Sequence, residues 1–306
     1  MATKTHKKRD RLSAQTADKH DLYQRSVQSP DTDAVFFSEH FQKTNGRPLR
    51  LFREDFCGTA AMSCEFVKLH RENHAIGVDL HAPTLAWGKK NNIDKLKPAQ
   101  RPRVTTLEAN VLDICEPKAD MIAATNFSYM IFKKRQELLA YIKNAHRSLA
   151  KDGLLLMDIW GGSQTQVDQE DLDDADERDV DGEFTYYWQQ CRFDPLSYDI
   201  ECRIHFEFND GTRMLDAFTY EWRMWTIPEI RELMEEAGFR NIHVLWEGTE
   251  EDDDDDDGDE DTQECETCGA SLDDDDDEGA GGNGEFTRVE VGEAYDAWIA
   301  YVVGQV

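Results

Sequence analysis

The chain has 306 residues, of which 39% are hydrophobic, and it carries a formal net charge of -30 at pH 7. This hydrophobic content is enough for one globular domain with a buried core. Most of the charge belongs to two acidic segments: residues 168–181 carry -8, residues 250–278 carry -19, and only about -3 remains elsewhere. Because binding to a phosphate backbone relies on clustered Lys and Arg, this distribution argues against nucleic acid as a partner.

The cysteines and the apolar runs point to a soluble cytoplasmic protein. Seven cysteines, an odd number spread through apparent core segments, are typical of reduced thiols in the cytosol. No apolar run approaches the length of a membrane span or a secretion signal. Cys265 and Cys268 form a lone CxxC, which favours a flexible thiol pair over the alternative of a structural metal, since a four-ligand site needs two more ligands. Nothing in the sequence indicates an oligomeric state.

The first 48 residues predict a tail followed by two helices. Residues 1–20 contain the only basic cluster of the chain and are predicted to be a disordered tail. Residues 21–48 predict a short helix, a break at Pro30 and a second helix over residues 34–42. Asp31 or Asp33 is a suitable cap for the second helix.

From residue 49 onward, predicted strands alternate with predicted helices. The strands cover residues 49–53, 75–79, 104–108, 120–125, 153–160, 241–246 and 298–303, and the helices cover residues 60–70, 84–90, 135–150 and 228–237. Such alternation specifies a parallel sheet with helices on both faces. The predicted fold is therefore α/β, with a doubly wound, mostly parallel, seven-stranded sheet in a domain that spans residues 49–306.

Two kinds of insert interrupt this alternation. Residues 183–225 contain three segments rich in aromatic and β-branched residues, separated by turn sequences, and predict an antiparallel β-meander. Residues 168–181 and 249–285 are predicted to be disordered acidic inserts. In the middle strand of the meander, His205 shares a face with charged residues, so we expect a solvated cross-strand neighbour rather than a base.

Small and acidic residues follow the first two predicted strands of the sheet. Residues 51–60 read Leu-Phe-Arg-Glu-Asp-Phe-Cys-Gly-Thr-Ala, and Asp79 stands where the second strand ends. A parallel strand that feeds a helix through a tight loop lets backbone amides approach a ligand, and an acid at the end of the next strand can accept ribose hydroxyls. This pairing predicts a nucleoside-binding site.

With these motifs, residues 49–303 resemble the class I S-adenosylmethionine-dependent methyltransferases, and most closely an uncharacterised bacterial subgroup. The resemblance implies a Rossmann-like methyltransferase fold and S-adenosylmethionine as cofactor. It implies that Glu54 contacts the methionine end of the cofactor, within a loop in which Phe56 and Ala60 replace two of the family's glycines. The cofactor-binding residues that it implies are Glu54, Phe56, Gly58 and Thr59 in this loop, Asp79 for the ribose hydroxyls, Leu80 beside the adenine, and Asn110 and Val111 at the adenine edge.

The resemblance also places residues around the methyl-transfer site. Asn126, a further cofactor-binding residue that the resemblance implies, opens a polar turn after the fourth strand, where this family lines that site. Tyr129 and Asp158 are the candidate general bases, because both are expected near the carboxyl ends of strands, where such sheets bind ligands. The segment from Tyr23 to Gln28 resembles part of the subgroup, and we expect it to fold over the cofactor as a lid.

These observations predict a cytoplasmic enzyme that transfers a methyl group from S-adenosylmethionine to a nitrogen or oxygen of a small molecule. The acidic inserts and the aromatic segments favour a cationic acceptor. Two alternatives stay open. The acidic inserts would also suit methylation of a basic protein or peptide, and the altered glycine loop would suit a cofactor-binding regulator without turnover.

Overall fold

The computed structural model describes residues 12–249 and 282–306, which form two β-sheets and six α-helices within those ranges. The strands of the larger sheet are β1 (Leu51–Asp55), β2 (His74–Asp79), β3 (Val104–Glu108), β4 (Ala119–Ala124), β5 (Leu149–Gly161), β10 (Arg240–Thr249), β11 (Gly282–Val289) and β12 (Trp298–Gln305). Their spatial order is β11-β10-β12-β5-β4-β1-β2-β3. Strands β1 to β5 pair in parallel, whereas β12 is antiparallel to both of its neighbours, β5 and β10.

Helices cover both faces of this sheet. The α-helices of the described residues are α1 (Lys19–Val27), which packs on the smaller sheet, α2 (Pro30–Asn45), α3 (Ala61–Leu69), α4 (Ala82–Asn91), α5 (Arg135–Ser148) and α6 (Ile227–Ala237). On one face, Phe37 of α2 and Phe66 of α3 pack around Phe52 of β1. On the other face, Ile142 of α5 and Leu233 of α6 belong to a second apolar core. The predicted doubly wound sheet is confirmed, with the seven predicted strands and one more.

The smaller sheet is the predicted meander with an added edge strand. Its strands β6 (Asp176–Val180), β7 (Phe184–Phe193), β8 (Asp199–Phe208) and β9 (Arg213–Arg223) pair antiparallel in chain order. Strand β6 lies inside the segment predicted to be a disordered acidic insert, so that prediction is wrong for residues 176–180. Its first four side chains are exposed, and an edge strand can carry exposed charges because only its backbone must pair.

The other acidic insert also contributes to a sheet. Strand β11 begins at Gly282, within residues 249–285, and pairs with β10 at the edge of the large sheet. The predicted insert is therefore too long at its C-terminal end. Cys265 and Cys268 lie outside the described residues, as does the basic cluster that ends at Arg11.

The N-terminal helices differ from the prediction at their starts. Residues 12–18 precede α1 and pack on the smaller sheet, where the backbone N–H of Ala14 donates to the Thr212 hydroxyl at 2.9 Å. The tail predicted to extend to residue 20 is thus too long. Helix α2 begins at Pro30, with Ser29 as its N-cap residue, and neither Asp31 nor Asp33 caps it. Proline fits this first helical position because its fixed φ is helical and its missing N–H would have no partner there.

His205 is buried instead of solvated. Its side chain is 4% exposed, its Nε2 lies 3.2 Å from Oε1 of Gln189, and its Nδ1 accepts from the backbone N–H of Asp216 at 2.9 Å. The alternation along β8 is otherwise as predicted, with Ile204 and Phe206 in the core. The imidazole is buried because polar partners on both neighbouring strands satisfy its two nitrogens.

No helix within the described ranges is long and apolar enough to cross a membrane. In the same ranges, no three His, Cys, Asp or Glu side chains come together as a metal site would require.

Candidate active site

Glu54 is the first predicted site residue at the carboxyl end of the large sheet. Its carboxylate is buried and accepts hydrogen bonds from the backbone N–H of Ser63 at 2.9 Å and from the Ser63 hydroxyl at 2.6 Å. Burial raises the pKa of Glu54 to about 7, and the nearby charges of Asp79 and Asp33 act in the same direction. The first turn of α3 therefore holds this carboxyl group in place at the end of β1.

The loop after β1 is a tight turn with three residues in the left-handed region, Phe56, Gly58 and Ala60, at φ of 57°, 50° and 56°. L-residues adopt this region only at a cost, so Phe56 and Ala60 are held there by their surroundings. The Phe56 ring packs against Tyr141, 5.6 Å between centroids, and Ala60 is buried. Thr59 is also buried, and its carbonyl accepts from Asn92 at 3.0 Å beside α4.

Asp79 stands at the end of β2, directly beside this loop. Its Oδ2 accepts from the backbone N–H of Gly58 at 2.8 Å and its Oδ1 from that of His81 at 2.7 Å. Leu80 follows with 65% of its side chain exposed, an apolar residue left uncovered at the sheet edge. Asn110 lies after the adjacent strand β3, and its Oδ1 accepts from the N–H of Leu112 at 3.0 Å. The structure thus brings Gly58, Asp79, Leu80 and Asn110 to one edge.

The Val111 side chain is buried behind that edge. The Val111 carbonyl accepts hydrogen bonds from Arg53 of β1 at 3.3 Å and from Asn144 of α5 at 2.8 Å. Buried side chains of the core therefore fix the loop that begins at Asn110. The sequence analysis did not select Arg53 or Asn144. No local pattern marks them, because their role depends on contacts between residues that are distant in the chain.

Asp158 lies near the end of β5, opposite Tyr301 of β12 in register. Asn126 and Phe127 follow β4 and both lie in the left-handed region, at φ of 54° and 55°. This conformation directs the N–H of both residues to the Asp158 carboxylate, and the bond from Phe127 measures 2.9 Å. Burial raises the pKa of Asp158 to about 8 against the lowering effect of these two donors, and Asp33 raises it further.

Tyr129 has a different environment. Its ring is fully buried in the core between the sheet and α5, and its hydroxyl has no hydrogen-bond partner among the described residues. Burial raises the pKa of this hydroxyl well above its ordinary value, and Asp158 adds to the effect. A phenol with such a pKa has almost no ionised form to accept a proton near neutral pH, whereas Asp158, with a pKa of about 8, has an appreciable ionised fraction there. Of the two predicted bases, the geometry favours Asp158.

Aromatic rings of the smaller sheet and of α1 lie over this part of the edge. Trp160 of β5 packs on Phe127 at 4.4 Å and on Trp222 of β9 at 6.0 Å, and the Tyr220 ring is 4.3 Å from that of Trp222. Tyr23 of α1 packs on Phe218 at 4.9 Å, and its hydroxyl hydrogen-bonds with Tyr220. Burial raises the pKa of Tyr23 to about 12, and the charge of Asp158 contributes to this shift.

Helix α1 connects the smaller sheet with the cofactor side of the large one. Its N-cap residue Asp18 accepts from the indole N–H of Trp87 on α4 at 2.6 Å, and Gln24 accepts from Asn92 at 3.3 Å. The helix therefore runs between the two regions in which the predicted cofactor and acceptor residues lie. Whether it closes over a ligand, as predicted for the segment that starts at Tyr23, stays a prediction.

Asp33 is a site residue that the sequence analysis considered only as a helix cap. It lies in the first turn of α2, and burial together with Asp31 raises its pKa to about 6. Its charge raises the pKa of both Glu54 and Asp158. Three carboxyl groups from different elements thus influence one another at this edge. The sequence gives no indication of this, because α2 is brought there by packing of Phe37 on Tyr301.

Comparison with known proteins supports the fold. No family model matches the chain, and no curated protein matches it. Among solved structures, it is similar to an S-adenosylmethionine-dependent methyltransferase from Clostridium acetobutylicum, with 18% identity, 93% of this chain and 96% of that one covered, and a TM-score of 0.59. It is also similar to CalS10, an amino pentose methyltransferase from Micromonospora echinaspora, with 12% identity, 98% and 100% coverage, and a TM-score of 0.60.

A third similar structure is the sugar N-methyltransferase KedS8 from Streptoalloteichus, with 15% identity, 78% of this chain and 90% of that one covered, and a TM-score of 0.55. At these identities the similarity concerns the fold. The chain has the Rossmann-like fold of S-adenosylmethionine-dependent methyltransferases, with the smaller antiparallel sheet placed between β5 and α6.

Proposed function

We propose that this protein transfers the methyl group of S-adenosylmethionine to a nitrogen or oxygen of a small molecule, and that a cationic amine is its preferred acceptor. The observation that carries the proposal is the environment of Asp158. This carboxyl group is buried at the end of β5, is held by two backbone amides, and has a pKa of about 8. A group with these properties can exchange a proton with an amine near neutral pH.

The residues at the β1 and β2 ends fit the proposed cofactor. Asp79 presents a carboxylate, and Leu80 an uncovered apolar side chain, where the ribose and the adenine would lie. Asn110 would contact the adenine edge, and Glu54 would face the methionine end. Gly58 leaves its loop open, because a Cβ built there would meet only Thr84, at 3.8 Å. When bound, the cofactor supplies a methyl group that is already activated on a sulfonium.

The protein's own task is then alignment and proton transfer. An ammonium group must lose a proton before its nitrogen can attack, and ionised Asp158 can accept that proton. Asn126 and Phe127 hold the carboxylate through their N–H groups, so that it need not reorient during the reaction. The negative charges of Asp33 and Glu54 also favour a positively charged group at this edge.

The aromatic rings suit the same acceptor class. The charge of Asp158 acts on Tyr23, whose hydroxyl bonds with Tyr220, and Trp160 stands two residues after Asp158 on β5. Aromatic faces attract ammonium groups by about 0.5–2 kcal/mol each. Amino groups are also what the printed names of CalS10 and KedS8 associate with those two proteins. This agreement supports the proposal for an amine over one for a hydroxyl group.

The test is a methyl-transfer assay on the full chain with labelled S-adenosylmethionine. The acceptor panel would contain primary and secondary amines, matched alcohols, and cationic peptides, with products identified by mass spectrometry. We expect product from amines. Product from peptides alone would favour the basic-peptide alternative, and cofactor binding without any product would favour the regulator. Absence of heat on calorimetric titration with S-adenosylhomocysteine would reject the methyltransferase proposal itself.

A further inference from the structure

Strand β1, inside the large sheet, contains a buried pair of charged side chains, which is unusual for a strand in this position. Strand β1 lies between β2 and β4 and is covered by helices on both faces. Strands in this position are usually apolar throughout. In β1, however, Arg53 is 0% exposed and Asp55 is 1% exposed, and both side chains lie on the face that carries α5.

The geometry of this pair is specific. Nε of Arg53 donates to Oδ1 of Asp55 at 2.6 Å, and its Nη2 donates to Oδ2 at 3.0 Å. The Tyr141 hydroxyl donates to the same Oδ2 at 3.1 Å. The guanidinium then reaches beyond the strand: Nη1 donates to the carbonyl of Ile114 at 2.9 Å, and Nη2 to the carbonyl of Val111 at 3.3 Å.

Stability gives no reason for such a pair. Removing two charges from water costs about as much as their attraction returns, and replacing a buried ion pair by apolar side chains is often neutral or stabilising. The two carbonyls do not depend on Arg53 for hydrogen bonding either. Asn144 donates to the carbonyls of Val111 and Ile114 at 2.8 and 3.0 Å, and the Ser148 hydroxyl donates to that of Ile114.

What Arg53 adds is a rigid connection between β1 and the segment from Asn110 to Ile114. Both ends of that connection are planar forks, one on the Asp55 carboxylate and one across two carbonyls, so the segment is fixed in direction as well as in distance. The same strand carries Glu54 on its opposite face. The residues proposed for the methionine end and for the adenine end of the cofactor are therefore both held in place relative to β1.

We propose that Arg53 and Asp55 are positioning residues for adenine recognition, which they serve by fixing the Asn110–Val111 segment relative to β1. The inference rests on the proposed function, because it takes Asn110 and Val111 to contact the adenine edge. It assigns the buried pair to ligand selectivity. A pair that served only stability could be replaced without any change in which base is bound.

The experiment compares two ligands that differ at the adenine edge, S-adenosylhomocysteine and S-inosylhomocysteine, by calorimetric titration. The main variant is Arg53→Met/Asp55→Val/Tyr141→Phe, which removes the pair together with the hydroxyl that would lose its acceptor. We expect it to fold with unchanged or higher Tm, to bind the adenine ligand roughly tenfold more weakly, and to lose most of its preference over the inosine ligand.

Two further variants keep the inference falsifiable. Arg53→Lys retains a charge beside Asp55 but lacks the fork that reaches both carbonyls, so we expect a partial loss of the same preference, whether or not the triple variant folds. Arg47→Met removes another arginine–aspartate pair, with Asp120 near the start of β4, at 2.8 Å, and should leave the preference intact.

Wild-type preference for adenine in the Arg53→Lys protein, or in the triple variant if it folds, would overturn the inference. It would leave the proposed function standing. Equal weakening of both ligands in these variants would also overturn it, since general destabilisation has no reason to discriminate between bases. Failure of the wild-type protein to bind either ligand would instead reject the proposed function.

Discussion

The two halves of the carboxyl edge of the large sheet hold their acids differently. In the half formed by β1 and β2, Glu54 accepts hydrogen bonds from Ser63 in the first turn of α3. The partly exposed Asp79 accepts from His81 and from Gly58 in the loop after β1. In the half formed by β4 and β5, Asp158 is buried, accepts from the turn after β4, and lies near Tyr23 of α1.

This difference separates two tasks. A partly exposed carboxylate such as Asp79, held by two backbone amides, suits recognition of a ligand that always has the same polar groups. A buried carboxyl group beside aromatic rings, such as Asp158, has a raised pKa, which suits proton exchange with an acceptor. Burial raises the pKa of Glu54 as well, so it is the neighbouring rings that distinguish Asp158. The first half is accordingly assigned to the cofactor and the second to the acceptor.

The largest effect is expected from Asp158→Asn. The variant keeps the shape and the acceptor oxygen for Phe127 but cannot accept a proton, so kcat should fall by about 10²- to 10⁴-fold with the best amine found. Binding of S-adenosylhomocysteine should stay the same. In the wild-type protein, kcat/KM should rise with pH through about 8, because ionised Asp158 is the active form. If kcat and its pH profile were the same in Asp158→Asn as in wild type, Asp158 would not be the group that accepts the proton.

The next effect concerns the cofactor half. Asp79→Ala should weaken binding of S-adenosylhomocysteine by about 10- to 100-fold in calorimetry, through loss of charge-assisted hydrogen bonds to the ribose. Glu108→Ala is the matched control, because Glu108 is the register partner of Asp79 on β3 and is exposed. A similar loss in both variants would show that charge at this edge, and no particular contact, determines the affinity.

The raised pKa of Asp158 also predicts how stability depends on pH. The folded protein holds a proton on Asp158 up to about pH 8, whereas the unfolded chain releases it near 4, so this group's contribution to stability falls as pH rises between those values. Asp158→Asn should therefore be more stable than wild type at pH 8, by up to roughly 5 kcal/mol because each pH unit between the two pKa values contributes about 1.4 kcal/mol, and nearly equal to it at pH 4. Urea unfolding at both pH values measures this, and equal stability at pH 8 would contradict a raised pKa.

The smallest effect tests the border between the halves. Tyr23→Phe removes the hydroxyl that bonds with Tyr220 and leaves the ring on Phe218. If α1 serves the acceptor half, the acceptor KM should rise by about two- to tenfold with an unchanged cofactor Kd. Tyr23→Ala then asks whether the ring also covers the cofactor, as the lid hypothesis requires. An unchanged cofactor Kd and turnover in Tyr23→Ala would end that hypothesis. The control is Tyr187→Ala, which removes a tyrosine from β7 of the smaller sheet.

Most of the large sheet was predictable because it depends on short-range patterns. Apolar strands that alternate with periodic helices specify a parallel sheet, and α6 has both a capping box at Thr226 and a left-handed glycine at residue 238, so both of its ends could be predicted. Strands β6 and β11 could not be predicted in the same way. They are edge strands with many exposed side chains, and what makes them strands is pairing with a neighbour that the local sequence does not reveal.

The candidate site likewise contains features set by the local sequence and features set by long-range packing. The positions of Glu54, Gly58 and Asp79 follow from where two adjacent strands end, and the chain itself determines those ends. The pKa of Asp158, the approach of Asp33 and the bonds from Arg53 to the carbonyls of Val111 and Ile114 were decided only when distant elements packed together. Burial and neighbouring charge act through space, and a sequence pattern records neither of them.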